Sequence, residues 1–311
     1  HADTAQIVVG GELAPENTAV GTDLKTHVIS RVLRQADNPF IHSHTIGEHA
    51  VIPATGVMAW MANAAEQIYP GFTFARAVEY RTLKGIVFDE TLADSYTLTL
   101  EETAKSEEAI AFKAMLSSTA VGQKLPRYHY SGTITIMRPV PPAPTHQFQF
   151  PAVPYAKEWD ILADGTLFHG PLFAGVEKIV RLDDDGLLLK CLSPAVSEEA
   201  QGQFPVQSFN LFAADVQWQG MAIWARYAYD SAGLPAKVAT AESYRPIPFD
   251  TTYYISLDVK SSSPKHVVAD IAVHDEHGRV YLRFLGAEVT LSQGLNDLFA
   301  QGARLHYTVN L

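Results

Sequence analysis

The stretch His44-Thr45-Ile46-Gly47-Glu48-His49-Ala50-Val51-Ile52-Pro53, continued by Ala54-Thr55-Gly56-Val57-Met58-Ala59-Trp60-Met61-Ala62-Asn63-Ala64-Ala65-Glu66-Gln67, decides how the chain is read. Proline suits the first turn of a helix, where its missing N–H has no intrahelical acceptor to lose. Ala, Met and Trp then fill nearly every face, so the helix predicted over 53–67 is buried rather than amphipathic. At ~1.5 Å per residue it runs for ~22 Å. About 170 residues later the form recurs: Asp215 and Gln219 stand at the start of a helix predicted over 209–229, apolar through Trp218, Met221, Ile223, Trp224 and Tyr227. Each half thus offers one proton-transfer group, His44 or Asp215, at the head of a buried helix.

Strands surround both helices. Alternating and β-branched patterns predict strands at 72–88, 95–102, 109–117 and 128–137. In the second half, 167–192 reads as a hairpin turning at Asp183-Asp184-Asp185-Gly186, and strands follow at 252–260, 266–274 and 280–291. Between the halves, Pro139-Val140-Pro141-Pro142-Ala143-Pro144 is too proline-dense for a helix or central strand and reads as an extended connector. The division is therefore 1–138, a linker at 139–150, and 151–311. One long buried helix wrapped by a curved antiparallel sheet, occurring twice, is an α+β double hot-dog.

Bulk properties narrow the functions. The chain has 311 residues, 47% of them hydrophobic, and a formal net charge of -11. That acidity argues against a nucleic-acid partner, which needs a basic surface. No run reaches the ~20 apolar residues of a membrane helix, and no cleavable signal peptide is recognisable. A single cysteine, Cys191, cannot form an internal disulfide and suits a cytoplasmic protein. The chain opens on His1 rather than Met, so a piece of a longer polypeptide is expected.

With helices and motifs in this order, the chain resembles a polyketide-synthase-type dehydratase domain, most like those of polyunsaturated-fatty-acid synthases and related iterative systems. The resemblance covers nearly the whole chain and rests on three motifs. HxxxGxxxxP is met by His44 and Pro53; its glycine falls on Glu48, with Gly47 one place earlier, and Ser43 and Ala54 stand where the family often has aspartate and glycine. A GxxxxGPxF-like stretch runs Gly165-Thr166-Leu167-Phe168-His169-Gly170-Pro171-Leu172-Phe173, with His169 where many members have tyrosine. DxxxQ is met by Asp215 and Gln219, after a degenerate lead-in.

The resemblance implies that His44 is a base and Asp215 an acid. Burial among apolar neighbours, at what reads as the first turn of a helix, would raise the Asp215 pKa and keep it neutral. Gln219, one turn later, either orients that acid or forms an incidental polar pair with it. His169 either assists the leaving hydroxyl or braces its strand. Backbone N–H groups of Ala54, at an open helix N-terminus, and of Gly47 are candidates to hold a thioester carbonyl. Met58, Phe168, Pro171, Phe173 and Trp218 are acyl-tunnel candidates.

The implied reaction removes water from a 3-hydroxyacyl thioester carried on the phosphopantetheine of an acyl carrier protein, giving a 2,3-enoyl product, with no other cofactor. A local basic patch would dock that carrier. Neighbouring synthase domains and a possible homodimer complete the implied partners. No metal is expected: there is no CxxC or HExxH, although His42, His44 and His49 form a rival metal reading. Two other functions stand beside dehydration, a product-template-like cyclase and an inactive acyl-binding or dimerisation scaffold. Glu48 keeps the scaffold open, since its carboxylate near His44 either orients the ring or blocks the pocket.

Overall fold

The computed structural model describes residues 21, 23–119, 125–153 and 155–307. Strand β1 (Thr26–Arg31) is followed by a 3-10 turn (Pro39–Ser43) and a short ladder of β2 (Thr45–Ile46) with β3 (His49–Ala50), which leads into helix α1 (Ala54–Ile68). Strands β4 (Thr73–Thr82), β5 (Tyr96–Lys105), β6 (Ala109–Ser118) and β7 (Arg127–Met137) complete the first half. The second half contains β8 (Val176–Asp183), β9 (Gly186–Cys191), the short α2 (Glu198–Gln201), α3 (Leu211–Tyr229), β10 (Ala232–Ser243), β11 (Tyr253–Ser263), β12 (His266–His274), β13 (Val280–Ser292) and α4 (Asn296–Tyr307).

The long strands join in a single 11-stranded antiparallel sheet, ordered β1-β5-β6-β7-β4-β10-β13-β12-β11-β9-β8. This is the double hot-dog arrangement, with α1 and α3 packed on each other inside the curved sheet. All residues of α1 from Ala54 to Ala65 are buried, as are all those of α3 from Leu211 to Ala225. Apolar residues on every helix face therefore meet either the sheet or the other helix. In β5, Tyr96, Leu98 and Leu100 are buried while Thr97 and Thr99 are only partly so, the two-residue alternation that fixes the register against β6.

The seam between the halves is the pairing of β10 with β4, in which Val238 faces Tyr80 and Ala241 faces Ala77. Lys237 reaches across it to Glu79 at 2.9 Å. Strand β10 was not anticipated, because AGLPAKVATAES carries a proline and small residues instead of a β-branched alternation. β1 and α4 were also not anticipated. The proline-rich stretch holds no helix or long strand. It lies along the β12–β13 turn, with His146 N donating to Gly278 O at 2.7 Å and Val280 N to Pro144 O at 3.1 Å. Among the described residues, no helix is long and apolar enough to cross a membrane.

Candidate active site

His44 follows the 3-10 turn, its own N–H donating to Ile41 O at 2.9 Å. The Nδ1 of its ring lies 2.8 Å from Val51 O. A carbonyl only accepts, so Nδ1 carries the proton and Nε2 of the neutral ring keeps its lone pair. His44 is buried, with the Phe168 and Phe173 rings 4.9 Å and 5.2 Å away. Burial pushes its pKa down to about 4, against an upward pull from the Asp215 charge and a further downward push from His169. It is neutral at ordinary pH, the state a base needs.

Asp215 approaches from the other half. Asn210 caps α3 by accepting from Phe212 N and Ala213 N, so Asp215 is the fifth helical residue and lies past the first turn. That corrects the first-turn placement, and the capping role falls to Asn210. One Asp215 oxygen accepts from Thr55 Oγ1 at 3.3 Å, in the first turn of α1. Its other oxygen lies 3.0 Å from His169 Nε2. Desolvation acts to raise this pKa, as expected from the sequence. It is outweighed by the His169 hydrogen bond and charge, then by the His44 charge and Gln219, so the carboxyl sits below its usual range. Asp215 is thus a carboxylate paired with His169, not an isolated neutral acid.

The two loops meet through their backbones. His44 and His169 form an isolated antiparallel bridge, and Gly170 N donates to Ser43 O at 2.8 Å. As a result, ligand-capable atoms of His44, His169 and Asp215 all lie within 4.8 Å of one another. Two imidazoles and a carboxylate so placed could hold a divalent ion such as Zn²⁺. The cluster differs from the rival His42/His44/His49 set, of which His42 and His49 are exposed.

His44, His169 and Asp215 line one cavity of about 370 Å³. Its walls are mostly apolar and include Phe168, Trp218, Leu234, Pro235 and Phe299, with Lys84 and His49 among the few polar members. Ala54 lines it too, at the N-terminus of α1, where its N–H has no intrahelical acceptor.

Several expectations are redirected. Gly47 N–H is already given to Leu298 O at 2.9 Å and Gly47 does not line the cavity, so it is not a thioester donor. Gln219 Nε2 donates to Phe173 O at 2.8 Å, tying the Gly170–Phe173 turn to α3. Of the tunnel candidates, Phe168 and Trp218 line the cavity, whereas Met58 and Phe173 are core and Pro171 is exposed. Phe173 instead packs on Phe40 and Phe212. Glu48 is exposed and accepts from Gln301 Nε2 at 3.1 Å, so it neither orients His44 nor blocks the pocket. Thr55 and Phe299 were missed. Thr55 carried no signal in sequence. For Phe299, the i, i+3, i+4 set of buried Phe299, Gly302 and Ala303 was a legible helical signal.

A double hot-dog with a buried imidazole opposite a carboxylate defines a class, and similarity to known proteins agrees with it. The family model described as polyketide synthase dehydratase N-terminal domain matches residues 139–297. The chain belongs to the polyketide synthase dehydratase family. It is 25% identical over 284 residues to a polyunsaturated fatty acid synthase polypeptide of Thraustochytrium sp. (strain ATCC 26185 / S-3), covering 89% of this chain and 10% of that protein. The chain therefore spans about a tenth of the curated relative's length. Among solved structures, the dehydratase domain from the CurJ module of curacin polyketide synthase aligns with a TM-score of 0.66 at 14% identity, covering 88% of this chain and 94% of that one. The CurF module dehydratase aligns at 0.65 and 17% identity, covering 86% and 94%. At such identities these two share the fold.

Proposed function

We propose that this domain eliminates water from a 3-hydroxyacyl thioester to give a 2,3-enoyl thioester. The observation that carries this reading is the placing of His44 and the Asp215–His169 pair within 4.8 Å around one apolar cavity. His44 Nε2 takes the proton from C2. The enolate-like charge that develops on the thioester oxygen is held by Ala54 N–H at the positive end of α1. The C3–O bond then breaks, and the hydroxyl leaves as water after receiving a proton from the pair.

In its acid form the pair carries one proton beyond a carboxylate and a neutral imidazole. His169, beside the Asp215 carboxylate, hands that proton to the hydroxyl; its Nδ1 is buried with no hydrogen-bond partner among the described residues. His44 ends protonated and the pair ends neutral imidazole plus carboxylate, so returning one proton resets the site. Each positioned acid or base contributes on the order of 10²–10⁴ in rate. No further cofactor enters these steps. The substrate is delivered on the phosphopantetheine of an acyl carrier protein, within a synthase of which this chain is one domain.

Turnover of a 3-hydroxyacyl N-acetylcysteamine thioester by His44→Ala and Asp215→Ala tests the reading. Both variants should fold and lose at least ~10²-fold in kcat. Undiminished rates in both would end it.

A further inference from the structure

Helix α4 stands apart from the two sheet-wrapped helices and bears on both catalytic loops. Besides the Gly47–Leu298 and Glu48–Gln301 hydrogen bonds, Tyr307 Oη donates to His169 O at 3.1 Å. The seat is tight. A Cβ on Gly302 would overlap Thr45 O, and one on Gly165, at φ +74°, would lie 2.5 Å from Ala300 Cα. The helix thus has a fixed place against the loops that carry His44 and His169.

One side chain of α4 enters the cavity. Phe299 is 1% exposed, lines the cavity with His44 and Asp215, and forms with Phe168 and Ala232 an apolar cluster separate from the main core. Its ring lies 4.6 Å from Phe168, which in turn stacks on His169 at 4.0 Å. In this row Phe168 links the His169 ring to Phe299, so a chain running on along the cavity wall from a C3 hydroxyl held at His169 would meet Phe299. The family match ends at residue 297, two positions before it.

We infer that Phe299 is a specificity-determining residue: its ring is the wall that limits the length and bulk of the acyl chain beyond C3. Burial of Phe299 between the catalytic loops and the apolar wall of Leu234 gives the chain a rigid stop, since packed aromatic rings do not yield without loss of contacts. The occupant is an aliphatic segment, because the wall around Phe299 is mostly apolar.

The inference rests on the dehydratase reading, and the experiment separates the two. The kcat/KM values for 3-hydroxybutyryl and 3-hydroxydecanoyl N-acetylcysteamine thioesters are measured for the wild type, Phe299→Ala, Phe299→Leu and Phe299→Trp, each checked by thermal unfolding. Phe299→Ala should raise the long-to-short ratio at least ~10-fold, Phe299→Leu less, and Phe299→Trp should lower it. An unchanged ratio in the folded variants would overturn the inference while leaving the function intact. Wild type that dehydrates neither thioester would overturn the function. The ratio would then be read from dissociation constants of unreactive thioether analogues of the two lengths, where the same invariance overturns the role of Phe299.

Discussion

His44 and His169 face each other across an isolated antiparallel bridge, with their rings 5.3 Å apart. The separation of the two imidazoles is therefore set by peptide geometry linking two loops from opposite halves. Side-chain packing only refines it. A site assembled in this way can bring a buried carboxylate against two imidazoles, since each loop is already anchored before its side chain enters the cavity.

The acid side of the pH–rate profile should follow His44. Burial outweighs the Asp215 attraction and lowers its pKa to about 4, so kcat/KM should hold down through about pH 6 and fall only as His44 gains its proton. In Asp215→Asn the charge that raises the His44 pKa is gone, so the ring should titrate at still lower pH. Ring resonances of His44 followed by NMR across the acid range check the sign; an upward shift would contradict the assigned electrostatics.

Gln219 Nε2 and Gly175 N both donate to Phe173 O, each at 2.8 Å, so Gln219→Leu removes one of two hydrogen bonds to that carbonyl. A loss of about 0.5–1.5 kcal/mol in stability is expected. Denaturant unfolding measures it. Reduced turnover without any stability loss would instead favour a role for Gln219 in orienting Asp215.

Stability should decline from about pH 6.5 to pH 4. His44 and His274 are both pushed by burial to about 4 from 6.5, so the unfolded chain binds more protons than the folded one in that window. Each contributes roughly 3 kcal/mol at neutral pH that is lost on acidification. Asp215, with its lowered pKa, acts in the same direction at lower pH: its contribution is present above the unfolded carboxyl value and is lost as pH falls below it. His274 bonds Ser256 Oγ at 2.9 Å and gives its Nδ1–H to Asp275 O at 2.8 Å, away from the cavity. His274→Gln should therefore flatten the fall in Tm over this range without moving the pH–rate profile.

Zn²⁺ should inhibit by occupying the His44, His169 and Asp215 atoms that the substrate must reach. A chelator should reverse the inhibition. His169→Phe removes one ligand, a larger loss than the ~10–100-fold typical of an outer-shell partner. Equal Zn²⁺ sensitivity in this variant would place the metal elsewhere.

The two buried helices, most strands and the candidacy of His44, Asp215 and His169 were legible in the chain without coordinates. Those features are local: a helix apolar on all faces, a two-residue alternation, a histidine at a fixed distance before a helix-starting proline. The closing of the halves into one sheet through β10 became visible only in three dimensions, because its small residues and proline carry no alternating pattern and its pairing with β4 is non-local. The same holds for the state of Asp215 as a paired carboxylate. Desolvation can be guessed from apolar neighbours in the chain, but the His169 ring that outweighs it lies 46 residues away and arrives only when the loops meet.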